Sequence, residues 1–581
     1  MNRILQIARG EEKAELVIKN ANIINVFTNE VIKGDVAIDK GYIVAIGQYS
    51  GVEEVDLRGK YLSPAFIDGH VHIESSKVTP GQFAKAVVPR GVTSIIADPH
   101  EIANVKGIEG IEYMLDESEN IPLDVYMMLP SCVPATPFES AGAVLEAKNL
   151  EELMDRERVL GMGEMMDYVG VINGDEKVLE KIELAKEKGK IIDGHGPMIS
   201  GKELNAYVSA GIKTEHECST VKEMIERLRL GMYIHIREGS AARNLKELIK
   251  AVNKDNLSRI MFCTDDKEPS DLLMNGSIDN NIRLAISEGV DPIDCIKMAS
   301  LNPAQIYGLK GKGAIAPGYM ADLVVLDNLM DFNILMVFKE GKLVAENYMP
   351  LFRVPPSENN AMKNTVVIKD IKEEDLKVRI KGEKVNVIRI IPDSLITEKV
   401  VREVGMDITV REGEFIEGKD ILKVAVIERH KASGRMGLAL VEGFGLKNGA
   451  IASTIAHDSH NMIVIGDRDS DMVLAVEELR KLGGGIALAQ EGKIIGALPL
   501  EIAGLMSDKP LEEVKENLDK ILNIAYDRLN VNRNIEPFMI LSFLALPVIP
   551  SLKVTDLGLF DVDEFKFISL DANCDVAYGL S

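Results

Sequence analysis

Eight short apolar runs between residues 61 and 266 constrain this chain more than any other feature. They are YLSPAFIDGHVH (61–72), VTSIIADPHE (92–101), LDVYMMLPSCVP (123–134), RVLGMGEMM (158–166), KIIDGHGP (190–197), IKTEHE (212–217), MYIHIREG (232–239) and RIMFCTDD (259–266). Most are followed by amphipathic segments such as VLEKIELAKEKGK. Near-continuous apolar strands that alternate with helices imply a parallel sheet. Eight such units over about 250 residues is the size of a closed barrel. The expected fold class is α/β, with a (β/α)8 TIM barrel over residues 61–309.

The flanks read differently. LVIKNANIINV and VIKGDVAIDKGYIVAIG, before the barrel, are β-branched runs separated by turn residues. The style returns in AIAPGYMADLVVLD and ILMVFKEGKLVAE. The two pieces are expected to pair into one split β-sandwich, residues 1–60 plus 310–355, interrupted by the barrel. A linker is expected near Pro355–Glu358, where VPPSENN is rich in turn formers. Residues 360–581 carry their own runs, among them VNVIRII, ILKVAVIERH and NMIVIGD, and the helical LEEVKENLDKILNIAYDRL. They read as a separate C-terminal α/β domain.

A formal net charge of −24 argues against nucleic-acid phosphate or an anionic membrane as partner. The most apolar late run, PFMILSFLALPVIP (537–550), is too short to span a bilayer and is broken by prolines. The N-terminal stretch lacks the apolar core of a signal peptide. Five scattered cysteines without a CxxC pair suit free thiols in a reducing cytoplasm. A homodimer or larger homo-oligomer is the expected assembly.

The chemistry collects at the strand ends, where such barrels carry their active sites. His70 and His72 are two apart, so a strand points both the same way. Alone they could be two polar side chains closing a strand. Glu164, His195, His216 and Asp265 close later runs in barrel order, and six of the nine histidines fall at or within the eight runs. Imidazole nitrogens and carboxylate oxygens suit Zn2+, Fe2+ or Mn2+. Six ligands exceed one tetrahedral site and suit two metals about 3.5–4 Å apart.

PAFIDGHVH, the later histidines, the last-strand aspartate, LNPAQIYGL with GAIAPGYMADLVVLD, and FKEGKLV resemble the amidohydrolase superfamily over about residues 16–347. In that superfamily strand four carries a lysine or a glutamate. GMGEMMDY has no lysine, so the resemblance implies that Glu164 bridges two divalent ions, Mn2+ or Fe2+ foremost, with Zn2+ also fitting. ADPHEIANV, LPSCVPATPFE, MGEMMD, DGHGP, IREGSAARN, FCTDD and HDSHN are similar to the adenine deaminase family within it, and the C-terminal domain extends the likeness to nearly the whole chain.

The resemblance implies hydrolysis of adenine to hypoxanthine and ammonia, by metal-activated hydroxide attacking C6, in purine salvage. Asp265 would serve as general base and then acid. Glu101 or Glu238 would protonate a ring nitrogen, provided its pKa is raised. In ADPHE, Asp98 and His100 would bind substrate or an additional metal. In IREGS, Arg237, Glu238 and Ser240 would read the purine, against the competing reading of an Arg237–Glu238 salt bridge. In HDSHN, His457, Asp458 and His460 would close the site or build a further metal site. His235 is expected to be a buried core residue and His430 a surface or loop residue. The other deaminase plan needs PCxxC, which the chain lacks. Two alternatives remain. A Glu-bridged N-acetylglucosamine-6-phosphate deacetylase would need cationic phosphate contacts, for which Arg237 is the obvious candidate. A non-catalytic metal-binding scaffold would not need the complete ligand set.

Overall fold

The computed structural model describes residues 2–355, 360–392 and 394–572. The expected linker lies outside the described residues beyond Pro355, as does Cys574.

Eight strands follow the eight apolar runs: Phe66–His72, Val92–Ala97, Asp124–Leu129, Val159–Met165, Ile191–Gly194, Thr214–Glu215, Tyr233–Arg237, and Ile260–Cys263 continuing in Asp265–Asp266. The first five pair in parallel in chain order, and so do the last three. Asp265–Asp266 pairs in parallel with Val71–His72 and so joins the eighth strand to the first. Lys213 N donates to Ile192 O at 2.9 Å across the fifth and sixth. Parallel strands thus curl round one interior. IKTEHE forms only a two-residue strand, so His216 and Glu217 lie just past its end. Ile67, Ile96, Met128, Met261, Tyr307 and Leu309 fill the interior near the N-terminal strand ends. The polar strand ends are gathered at the other mouth.

Residues on both sides of the barrel share one nine-stranded sheet. The stitch is the strand Tyr61–Pro64, antiparallel to Leu323–Leu326 and parallel to Asn22–Ile23. Its strands alternate as a pleat requires: Val17 and Ala37 enter one apolar cluster, and Ile18, Val36 and Ile38 the other.

A buried charge network ties this sheet to the barrel. Asp322 lies 2.9 Å from the ammonium groups of both Lys312 and Lys339. Lys339 also reaches Asp124, the first residue of the third barrel strand, at 2.6 Å. Both lysine side chains are under a tenth exposed. Removing one partner of such a group leaves an uncompensated buried charge. Asp322→Ala is therefore expected to lower unfolding stability by about 3–5 kcal/mol. Urea unfolding of the variant checks this, and a loss below about 1 kcal/mol would show that the lysines are not held by Asp322.

The C-terminal part contains a ten-stranded sheet. The expected α/β character is corrected in one respect. Among the described residues its strand pairs are antiparallel, apart from Lys384–Ile390 beside Met436–Glu442. Most of its strands follow one another through short turns, which favours antiparallel pairing over helical crossovers. Helix Asp469–Leu482 covers one face of this sheet through Met472, Ala475, Val476 and Leu479. Helix Leu511–Asp527 turns towards the barrel, where Ser270 Oγ donates to Asp519 at 3.3 Å. The backbone is stitched there too: Thr79 N donates to Ser507 O (3.1 Å) and Ser507 N to Lys77 O (2.8 Å). PFMILSF forms a mostly buried helix, Pro537–Phe543. No helix among the described residues is long and apolar enough to cross a membrane.

Candidate metal centre and active site

The strand Phe66–His72 delivers both of its histidines to the barrel mouth, buried. Gly69 between them and the interior is a packing necessity. A Cβ there would stand 2.9 Å from the Phe262 carbonyl oxygen and 3.1 Å from the Met261 sulfur. His70 Nε2 and His72 Nε2 face each other at 3.2 Å. His72 Nδ1 donates to the Asp98 carbonyl at 3.0 Å, which turns its Nε2 towards the mouth.

Around that pair stand two carboxylates. Asp265 Oδ1 lies 3.2 Å from His72 Nε2 and 3.6 Å from His70 Nε2. Glu164 receives four imidazoles: His195 at 2.7 Å, His216 at 3.1 Å, and His72 and His100 each at 3.4 Å. Its backbone is placed by Asp98, whose Oδ2 accepts from Glu164 N at 3.0 Å. Asp98 can lie there because residue 163 is glycine, where a Cβ would come within 2.0 Å of that oxygen.

These spacings suit coordinated ions. Metal–ligand bonds of about 2.0–2.2 Å set neighbouring ligand atoms of one ion roughly 3–3.5 Å apart. Three overlapping ligand groups form here: His70 with His72 and Asp265, His70 with Glu164 and His216, and His72 with His100 and Glu164. His195 and His216 form a fourth with Glu217. Burial, with His216 and His72 as neighbours, drives His70 well below its ordinary pKa, to the neutral form a metal requires. Burial would raise Asp265. The hydrogen bond to His72 and the charge of Arg237 outweigh it and hold Asp265 well below the usual carboxylate range. The donor set fits divalent metal ions.

Several expected site residues sit elsewhere than the purine-reading pattern requires. Arg237 does not pair with Glu238. Its guanidinium donates to Asp265 Oδ2 at 2.9 Å, to Glu217 at 3.0 Å and to Asn244 at 3.3 Å. Adjacent extended residues point to opposite sides, which separates Arg237 from Glu238. Burial raises Glu238, as a proton donor would need, but it lies in a different pocket, beside Arg243, Lys246 and Lys267. Glu101 lies in the right place with the wrong shift. Burial pushes it up, but the charge and the hydrogen bond of His457 hold it well below its ordinary value. Asp98 serves the backbone of Glu164 and the ring of His72 rather than open space. His235 is buried, with Nε2 at 3.1 Å from the Tyr307 hydroxyl. His430 is half-buried and donates to the Ser459 carbonyl at 2.9 Å.

HDSHN, more than 300 residues from the first strand in sequence, meets the barrel mouth. His457 Nδ1 is 3.2 Å from Glu101, His460 Nε2 is 3.7 Å from it, and Asp458 is 4.0 Å from His100. Between the two parts lies a pocket. Glu74, Glu101, Ser240 and Asp266 line it from the barrel, and His457 and Phe543 from the C-terminal part. Ser240 Oγ accepts from Glu268 N at 2.9 Å. Glu74, Asp266 and Glu217 are absent from the sequence-derived candidates. Glu74 stands two residues beyond the candidate ligand run IDGHVH and Asp266 one beyond FCTD, and that position was the available signal. Burial and the neighbouring Glu101 push Glu74 up to about 7.

Known proteins align with both parts. An amidohydrolase family model matches residues 61–344, and a model of the adenine deaminase C-terminal domain matches residues 394–566. The chain is 54% identical to a protein named adenine deaminase from Clostridium acetobutylicum, across 97% of this chain and 99% of that one. It is 51% identical to adenine deaminase 2 of Carboxydothermus hydrogenoformans, across 97% and 98%. Among solved structures, enamidase, a member of the amidohydrolase superfamily, superposes with a TM-score of 0.45 at 19% identity, covering 59% of this chain and 98% of that one. With two family models matched in order and relatives about half identical from end to end, the chain belongs to the adenine deaminase family of amidohydrolases.

Proposed function

We propose that the protein hydrolyses adenine to hypoxanthine and ammonia, cleaving the exocyclic C6–N bond. One observation carries the reading: the buried histidine–carboxylate cluster opens beside a pocket that the C-terminal part closes, in a chain that follows adenine deaminases over its whole length. His70, His72, Glu164, His195, His216 and Asp265 would hold two divalent ions, of which Mn2+ and Fe2+ are favoured. When bound, the ions supply a water of lowered pKa and positive charge to offset what develops on the purine.

The chain's own residues do the rest. Asp265, kept ionised by Arg237, accepts a proton from the attacking water. A carboxylate held that low is a weak base but, once protonated, a strong acid, so it gives the proton up readily to the departing amine. Glu164 keeps the imidazoles of strands one, five and six at one centre. Burial of the cluster excludes bulk water, so each charge acts more strongly than it would in solvent. The proposal includes three domains, at 1–60 with 310–355, 61–309 and 360–581, and a cytoplasmic, homo-oligomeric enzyme of purine salvage.

The direct test is an assay with adenine after reconstitution with Mn2+, Fe2+ or Zn2+, following hypoxanthine and ammonia. Turnover that is lost to a chelator and restored by metal is expected. No turnover with any of the three, together with hydrolysis of an N-acetyl sugar phosphate, would replace this reading.

A further inference from the structure

The pocket between the barrel and the C-terminal part holds one imidazole that the metal centre does not use. His457 stacks on Phe543 with ring centroids 4.4 Å apart. Its Nδ1 faces Glu101 at 3.2 Å. Its Nε2 has no hydrogen-bond partner among the described residues, and the ring lines the pocket. A carboxylate on one ring nitrogen fixes the proton there and leaves the other to act on a ligand. The turn that carries His457 is held firmly. Its backbone N–H donates to Ser542 O at 3.0 Å. The buried guanidinium of Arg429 donates to the His460 and Ala503 carbonyls. Asn461 Nδ2 donates to Ser140 O at 2.7 Å, on the loop after barrel strand three.

Glu101, His457 and His460 also lie close enough together to surround a cation. The proton on His460 speaks against that use. Ala456 N–H donates to His460 Nδ1 at 3.3 Å, which places the ring's own proton on Nε2, the nitrogen facing Glu101. A protonated nitrogen has no lone pair for a metal. His457 instead directs its Nδ1 N–H at Glu101 at 3.2 Å, while His460 Nε2 faces the same carboxylate from 3.7 Å, beyond hydrogen-bond reach.

We propose that the C-terminal part completes the substrate pocket, with His457, steered by Glu101 of the barrel, as the residue that hydrogen-bonds a ring nitrogen of the purine. This rests on the adenine reading for the identity of the ligand. His457 is then a catalytic residue, and Glu101 and Arg429 are positioning residues. The barrel mouth alone would bind the ions but leave the heterocycle unheld.

Three substitutions separate this role from a structural one. His457→Ala is expected to lower kcat/KM for adenine about 100-fold, the scale for losing one preorganised donor. It should keep the wild-type metal content. His457→Gln places a polar group near the position of Nε2 and should recover at least about tenfold over alanine. His457→Asn reaches only the Nδ1 position and should not. Each variant is compared in kcat, in KM and in metal per chain by elemental analysis. Activity of His457→Ala within about threefold of wild type would overturn the proposal. So would loss of a metal equivalent in that variant, which would make the cluster a cation site. Equal recovery by Asn and Gln would reduce His457 to packing. If the wild type fails to deaminate adenine, the function reading falls separately. Calorimetric binding of hypoxanthine to wild type and His457→Ala then still decides the contact, and equal affinities overturn it.

Discussion

Asp265→Asn is expected to lower kcat with adenine by about a thousandfold or more while leaving the fold intact. The fold should survive because of where Asp265 sits. Its φ is +56°, in the left-handed region that most side chains avoid. Asn enters that region as readily as Asp. The amide also matches the carboxylate in shape, so the parallel pairing with Val71 is unaffected. What changes is charge and acceptor capacity. The carboxylate now accepts from Arg237 at 2.9 Å and faces His72 at 3.2 Å. An amide cannot take the proton of the attacking water, nor return it to the leaving amine. Arg237 keeps Glu217, so its guanidinium is not left alone. The check is steady-state kinetics with metal content and thermal melting on the same preparation. Near-normal kcat in a folded, metal-loaded variant would remove Asp265 from proton transfer.

Much of this centre is legible in the sequence because strands make its rules simple. His70 and His72 obey the two-residue period, and the other candidate ligands recur at the ends of successive apolar runs. Period-two reasoning also has consequences at the strand ends and limits beyond them. Arg237 and Glu238 are neighbours in sequence but leave the strand end in opposite directions, so the pair that looks like a salt bridge is not one. Glu217 follows a strand only two residues long, where alternation no longer predicts a face. The role of Asp98 depends on Gly163, in a different strand, leaving room for its oxygen. A single chain of letters does not show which glycine faces which carboxylate.

Charge state is the other quantity that local sequence does not carry. Whether Glu101 is a proton donor depends on neighbours more than 350 residues away, His457 and His460. With those imidazoles beside it, it is held ionised. HDSHN alone reads as a turn between two strands. Its meaning comes from the stitching of Ser507 to the barrel rim and of Asn461 to Ser140, contacts that depend on how the whole C-terminal sheet docks.

Glu164→Gln should fail in a different way from Asp265→Asn, by losing metal rather than by losing proton transfer. Four imidazoles converge on the Glu164 carboxylate, two on each oxygen, at 2.7–3.4 Å. Burial raises its pKa, but the charges and hydrogen bonds of His195 and His216 overcome that and hold it well below its ordinary value. It is therefore the anionic centre shared by His72, His100, His195 and His216. Glutamine keeps the volume and the backbone bond to Asp98. It replaces one oxygen with an amide that only donates, towards nitrogens that need an acceptor or an ion. Even substitutions of residues that only support a metal ligand weaken metal affinity about 10–100-fold, and loss of the charge proposed to bridge the ions should exceed that. The expected result is a folded protein whose metal content falls from the proposed two ions per chain to one or none, with adenine turnover down about a thousandfold or more. Raising the metal concentration in the assay should restore part of that activity, because the defect is occupancy. Asp265→Asn should stay largely inactive even when added metal fills the site, because it has also lost the proton acceptor. A Glu164→Gln protein that retains two ions per chain would show that this carboxylate does not bridge them.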